Sequence, residues 1–527
     1  MKELKFEELT TKQKLGIAMV ANINSLETES APYTLELIRQ RCVGAVWVNP
    51  NPGKYEEIIA KVKEAADYPI LIMCDAESGI GDYKIGRHNS LGCTGSEELA
   101  YTFGKVTAVT ARKMGYNIVC NPILDIANGN GSCGKNVRSI GGDKYKVAAL
   151  AKAEAKGMHD GGVLTVGKHY PSASATDPKV DAHMAENSSN NTKEELLDYN
   201  LYPYFELMKE GLLDGIMVGH SRLVKIDPDY PASLSKKVIN IIREQGFDGL
   251  FVTDALSMMG VVAKFGKTES KGLAIEQGND LALTWCDNRE GYAALCECYD
   301  KGIISDEALD SAVKRVLAAQ HKVFTMQPEY EELTDEDLKN FDRINTDSVF
   351  AKTDSGVPVS IPKDGKHFFV VLTPNELGTN NEGTVDVDPN YNGWYNPAKV
   401  VKKIEEMFPN STAYAIGEFP TQGQNMNVLD RSLGYDNVIF ITFFNSAAYI
   451  GYECLTSRVI SLINAMQLTD RISTIVHFGN PYVLEDLSHI PRVIIGTTSE
   501  GSLDSAFNVL SGDYPAKGVL TYDVKLK

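Results

Sequence analysis

No apolar stretch in this chain of 527 residues approaches the roughly 20 uninterrupted residues that a membrane-crossing helix needs. The amino terminus, "MKELKFEELTTKQKLGIAMVANIN", is interrupted throughout by charged and polar residues and lacks the apolar core of a signal peptide. Positive charge is also scarce. Lys and Arg number 52 against 70 Asp and Glu, a formal net charge of −18, with no long basic tract. Nucleic-acid phosphates would be repelled, so the expected ligand is neutral or weakly charged. Nine cysteines are scattered without a framework spacing, and "CEC" at 296–298 has no second pair to complete a zinc site. Reduced thiols, a cytoplasmic location and no membrane partner are therefore expected. There is no HExxH or comparable ligand pair, so neither a catalytic metal nor a cofactor is expected. A G-x-G-x-x-G pattern at Gly129, Gly131 and Gly134 leads into "KNVRSIGG" rather than an apolar helix, which argues against dinucleotide binding.

What the chain does have is a repeated rhythm. Its length exceeds what one compact core supports, so at least two domains are expected. Up to about residue 325, short β-branched runs end in polar residues and give way to amphipathic stretches. "VGAVWVNP" ends at Asn49, "YPILIMCDAESG" reaches Asp75, "YNIVCNPILD" reaches Asn121 and Asp125, and "GGVLTVGKHYP" reaches Lys168 and His169. "LDGIMVGHSRL", "DGLFVTDALSM" and "NDLALTWCD" then reach His220, Asp254 and Asp287. Seven such alternations in one segment predict an α/β fold with a (β/α)8 TIM-type barrel over 1–335, although the pattern does not place the eighth strand. Polar strand ends are where such barrels carry catalytic groups. The acidic stretch "TMQPEYEELTDEDLKNFDRINTDS" reads as a linker. A smaller α/β sandwich is expected over 336–527, from buried strands such as "KHFFVVLTP" and "YDNVIFITFFN" alternating with helices.

Asp254 poses the sharpest question, because it stands directly beyond the apolar run "GLFV" at the edge of a core, where an isolated charge is costly. On spacing alone a helix N-cap is the favoured reading. The pair Asp181 and His183 is, by itself, an ordinary surface motif. Arg138 has a bland reading as a bridge to Asp125 or Asp143, Lys168 as a counter-charge, His220 as a core histidine, and Trp285 as either a sugar platform or a packed core residue.

Taken together these strand ends resemble glycoside hydrolase family 3, in particular its β-N-acetylhexosaminidase branch. "GFDGLFVTDALSMMG" (246–260) is similar to the branch's nucleophile segment, with Thr253 and Ala255 as departures. The resemblance implies that Asp254 is the nucleophile of a retaining mechanism, which needs an ionised carboxylate beneath the anomeric carbon. "GKHYPSASATDPKVDAHM" (167–184) keeps Lys168, His169 and Pro171 of a second motif and its Asp-x-His dyad at Asp181 and His183, while "SAS" replaces a glycine-histidine-glycine centre. In the branch that histidine donates the proton, a role suited to a side chain with an ordinary pKa near ~6.5. Asp75 in "CDAESG", where Ser78 departs from the family pattern, and Arg138 in "NVRSIGGD" match sugar-binding positions. With Lys168, His169 and His220 they complete the expected substrate-binding set.

The implied activity is exo-acting removal of terminal β-linked N-acetylglucosamine from a small carbohydrate or glycoside. Alternatives of the same family are a phosphorylase, since a neutral histidine repels phosphate less than a carboxylate, and a β-glucosidase or β-xylosidase. In those last relatives a second-domain glutamate is the acid, here Glu453 or Glu500. A non-catalytic carbohydrate-binding descendant is the alternative outside catalysis.

Overall fold

A computed structural model describes residues 2–127, 137–177, 180–373, 395–444 and 454–527. The pattern at Gly129, Gly131 and Gly134, and Glu453, lie outside the described residues. The chain divides into two units, the first made chiefly of Met1–Lys84, Ser96–Ala127 and Arg138–Phe341, the second chiefly of Asp342–Lys527.

Eight parallel strands build the first unit: β1 Met19–Asn22, β2 Ala45–Trp47, β3 Leu71–Cys74, β4 Ile118–Val119, β5 Leu164–Tyr170, β6 Gly215–Val218, β7 Leu250–Thr253 and β8 Ala282–Leu283. They pair in chain order from β1 to β7, and β8 pairs with β1 through Met19–Ala282 and Val20–Leu283. A parallel bridge between Val252 and Leu281 brings β7 to β8 and closes the barrel. Every residue of β2, β3, β6 and β7 is buried, as expected for strands packed by side chains inside and covered by helices outside.

The strand the sequence pattern did not place is β1. The preceding helix Thr11–Ile17 ends in buried Leu15, Gly16 and Ile17, and only Ala18 separates it from the strand. Two buried elements therefore run together without the polar punctuation that marks the other seven.

The acidic segment read as a linker contains a helix, Asp335–Asp347. Its start is locally encoded. The Thr334 hydroxyl accepts from the Asp337 amide at 3.2 Å, and the Asp337 carboxylate accepts from the Thr334 amide at 2.8 Å, a reciprocal cap. Asp337 also pairs with Lys105 at 2.9 Å.

The second unit has strands β9 Phe350–Thr353, β10 His367–Thr373, β11 Thr412–Gly417, β12 Asn437–Phe444, β13 Ile472–Gly479 and β14 Arg492–Gly496. Their order is β9-β14-β13-β12-β10-β11, parallel except for antiparallel β9. All seven residues of β10 are buried, and helices such as Pro397–Met407 and Glu500–Ser511 pack against the sheet, giving an α/β sandwich.

At the amino-terminal end of the barrel, Asp214 precedes β6 and accepts from the Thr165 amide at 2.9 Å and His159 Nε2 at 2.7 Å, with Lys322 also paired to it. Burial would raise its pKa, but His159 and Lys322 outweigh this and hold it below the ordinary carboxylate value. A depressed pKa means the stabilisation is present above the ordinary value near ~3.8 and is lost as pH falls through the folded-state value. Asp214→Ala is expected to cost about 1.5–3 kcal/mol at pH 7, the range for hydrogen bonds to a charged group. Urea titrations at pH 7 and below pH 4 should show that difference shrinking in acid.

Candidate active site

The expected polar residues gather at the carboxyl ends of the barrel strands. Asn121, just beyond β4, exchanges hydrogen bonds with the Ala76 amide and carbonyl, both at 3.3 Å, and so fixes the segment that follows β3. That segment presents Asp75 and Glu77. Lys168 on β5 is almost wholly buried, ion-paired to Asp75 and at 2.9 Å to Glu77. Arg138 grips the same Glu77 with two nitrogens, at 2.8 and 2.6 Å, in a bidentate fork.

Burial alone would weaken the hold of both cations on their protons. Glu77, Asp125 and Asp75 reverse this for Arg138, and Asp75 and Glu77 for Lys168, so both lie above their ordinary values and stay charged. Arg138 Nη2 donates to His169 Nε2 at 3.1 Å, which leaves Nδ1 as the protonated nitrogen, donating to Asp125 Oδ2 at 2.7 Å. The His169 amide donates to that same oxygen at 3.1 Å. Half of the Asp75 side chain, 47%, remains exposed, so it retains accepting capacity toward the barrel mouth.

Asp254 follows β7 directly. Its amide donates to the Val218 carbonyl at 2.9 Å, and its Oδ1 accepts from the Ala255 amide at 2.7 Å. The next helix begins only at Met259, with Met258 at its N-cap, so Asp254 does not cap it. Burial pushes the Asp254 carboxyl up. His169, His220, the Ala255 amide and Arg138 together overcome that and hold it below the ordinary carboxylate range.

His220 is buried. Its Nε2 donates to the Ala255 carbonyl at 3.0 Å, so Nδ1 accepts from the Ser233 hydroxyl at 2.7 Å. Burial keeps this imidazole below its ordinary pKa, opposed by Asp254 and the Ala255 carbonyl. Both ring nitrogens thus face protein groups, and the side chain lies within electrostatic reach of Asp254, His183 and His169.

The dyad occupies the loop after β5. His183 Nδ1 donates to Asp181 Oδ1 at 2.7 Å, and the His183 amide donates to the same atom at 2.9 Å. Asp181 is buried while 29% of the His183 side chain is exposed. A buried carboxylate orienting a partly exposed imidazole is an arrangement suited to proton transfer.

Residues 10–319 match the family description "Glycosyl hydrolase family 3 N terminal domain". The chain belongs to glycoside hydrolase family 3. A β-hexosaminidase of Tolumonas auensis is 29% identical over 276 residues, covering 50% of this chain and 81% of that protein. The β-hexosaminidase LpqI of Mycobacterium tuberculosis is 31% identical over 295 residues, covering 50% and 70%. Among solved structures, a family 3 β-N-acetylglucosaminidase from Paenibacillus sp. str. FPU-7 superposes with a TM-score of 0.80 at 24% identity, over 98% of this chain and 100% of that one. The β-glucoside phosphorylase BglX gives 0.82 at 24%, over 98% and 95%. At these identities the two structures establish the shared fold.

Within this family 3 barrel, the structure brings Asp75, Arg138, Lys168 and His169 into one ion and hydrogen-bond network, and His220 to the peptide beside Asp254. It does not bring Asp287 into the network, because that residue caps the helix Asn288–Asp300 and pairs with Arg289 at 2.7 Å. Trp285 has a left-handed backbone, φ 43°, and packs edge-on against Trp47 with centroids 5.7 Å apart. Glu77 and Asp125 are the participants the sequence reading left out of the site. Both had a signal: Glu77 stands two residues from Asp75 in the same element, and Asp125 ends a strand run. Among the described residues no group of three or more metal-binding side chains converges.

Removing His169, the neighbour that most offsets burial, should raise the Asp254 pKa. His169→Ala is accordingly expected to shift the acidic limb of the kcat/KM profile on a nitrophenyl β-glycoside to higher pH. An unchanged limb would mean that His169 does not govern this carboxylate.

Proposed function

We propose that this family 3 enzyme is an exo-acting retaining β-glycosidase that releases terminal β-linked N-acetylglucosamine, with Asp254 as nucleophile and His183–Asp181 as the acid/base pair. The observation that carries the reading is the closed dyad, in which one Asp181 oxygen accepts from both the ring and the amide of His183. The two similar β-hexosaminidases support a hexosaminide as the substrate class.

The steps follow from the groups present. Ionised Asp254 attacks the anomeric carbon as the bond to the leaving oxygen breaks, and His183 in its imidazolium form gives its Nε2 proton to that oxygen. Asp181 stabilises the imidazolium and fixes the ring. The neutral imidazole then takes a proton from water, whose oxygen attacks the anomeric carbon and frees the Asp254 carboxylate. Asp75, Arg138, Lys168 and His169 address the sugar hydroxyls, where a missing hydroxyl would leave buried polar groups unpaired and so penalise the wrong sugar. Glu500, one of the two glutamates considered as an alternative acid, pairs with Lys399 at 2.8 Å, which favours the histidine.

His183→Ala should lower turnover about 10²–10⁴-fold on an alkyl N-acetyl-β-glucosaminide, and much less on the nitrophenyl glycoside, whose leaving group needs no proton. Equal losses on both would contradict proton donation. Asp254→Asn should abolish the covalent intermediate, and a labelled sugar recovered on another residue would remove Asp254 from its role. Formation of sugar 1-phosphate with added inorganic phosphate would replace hydrolysis by phosphorolysis.

A further inference from the structure

The short helix Met259–Phe265 begins without a side-chain cap, since Met258 has no oxygen to offer. Its first two amides are satisfied from elsewhere in the barrel unit. Met259 N donates to the His183 carbonyl and Gly260 N to the Ala182 carbonyl, both at 3.2 Å. The acceptors lie in the tight turn that holds the dyad, where the Met184 and Ala185 amides both donate to the Asp181 carbonyl at 2.9 Å. The far side of this turn is tied down separately. Glu186 pairs with Arg222 at 2.6 Å, and Ser188–Ser189 pair in parallel with Arg222–Leu223.

The approach of turn and helix is close enough to restrict the residue at 260. A Cβ placed on Gly260 would lie 2.7 Å from the Ala182 carbonyl oxygen and 2.8 Å from that of Ala185. Both are backbone atoms, so a side chain of any size requires the turn itself to move. Gly260 has an ordinary backbone conformation, which makes the requirement steric rather than torsional.

We infer that Gly260 and the Met259 amide are positioning residues for His183: they seat the dyad turn on the segment that carries Asp254, so that the acid/base and the nucleophile keep one fixed spacing. The inference rests on the acid/base role proposed above for His183. It follows from the connectivity, because Gly260 lies six positions after Asp254 and the same short segment holds the carboxylate at one end and the seat of the imidazole at the other. An added methyl group would displace His183 while leaving Asp254 on its strand end. Misplacement by about 1 Å can cost on the order of a hundredfold in rate.

The test is a double-mutant cycle. Gly260→Ala should lower kcat on an alkyl N-acetyl-β-glucosaminide by about tenfold to a hundredfold, with a much smaller effect on the nitrophenyl glycoside and little change in KM. In a His183→Ala background the same change should cost nothing further, as expected for residues acting as one unit. Azide should restore deglycosylation in both single variants and yield the glycosyl azide. Met259→Pro supplies the second variant. It removes only the donor to His183, at a first helical position that tolerates proline, after Met258 at φ −62° and ψ 136°, a conformation suited to precede proline. Compared with Met259→Ala, which retains the donor, it should show the same leaving-group signature. Equal loss on both substrates, or a full additional loss in the His183→Ala background, would overturn the inference. If His183→Ala itself leaves turnover on the alkyl glycoside intact, the acid/base reading fails first, and this inference falls with it.

Discussion

Two cations, buried Lys168 and partly buried Arg138, impose the constraint around which the rest of this site is arranged. A charged side chain removed from water is tolerable only with close counter-charges and satisfied hydrogen bonds. Lys168 lies 1% exposed and meets that requirement through Asp75 and Glu77, while Arg138 takes both oxygens of Glu77 and a nitrogen of His169. These partners come from the ends of β3, β4 and β5 and from the segment after β4. The network therefore holds several strand ends in register with one another, and removing any member leaves another charge uncompensated. The barrel makes this possible, since its closed parallel sheet brings carboxyl ends from distant parts of the chain to one rim.

Arg138 also acts on the group beside the network, Asp254. Asp254 is drawn below its ordinary pKa despite burial because positive charge and the Ala255 amide converge on it, whereas the carboxylates of the network are spent on Lys168 and Arg138. His220 contributes differently. With its Nε2–H directed at the Ala255 carbonyl and Nδ1 accepting from Ser233, it holds the residue whose amide reaches Asp254. Ala255 is thus held at both its amide, by Asp254 Oδ1, and its carbonyl, by His220.

Much of the fold was legible because each barrel strand is a short buried run stopped by a polar residue, and the polar residue is where the chemistry gathers. β1 escaped that rule because a buried helix end merges into it, and the helix Asp335–Asp347 escaped because a strongly acidic segment looks like solvated chain until its Thr-x-x-Asp cap is noticed. Asp75, Arg138, Lys168 and His169 were readable from local motifs. Glu77 was harder to assign, since its importance arises from being shared by two cations that lie 61 and 91 positions further along the chain. No local pattern encodes a partner shared at that distance. Nor does spacing reveal that Asp254 is not a cap. That follows only from the helix starting five residues later, at Met259.

The loop after β5 shows how a departure in sequence can leave a local arrangement in place. Where "SAS" replaces the glycine-histidine-glycine of the resembled motif, Ser172 adopts a left-handed backbone, φ 59°, and its hydroxyl accepts from the Ile126 amide at 3.1 Å. The Ser172 carbonyl in turn accepts from Asn200 Nδ2 at 2.8 Å. Serine carries a conformational penalty there that glycine would not, and the buried hydrogen bond of its hydroxyl to the Ile126 amide acts against it. The beginning of the loop is thereby fixed by its own polar groups, and its end by Arg222 and the helix at Met259. Between these anchors the Asp181–His183 turn is defined by hydrogen bonds within itself.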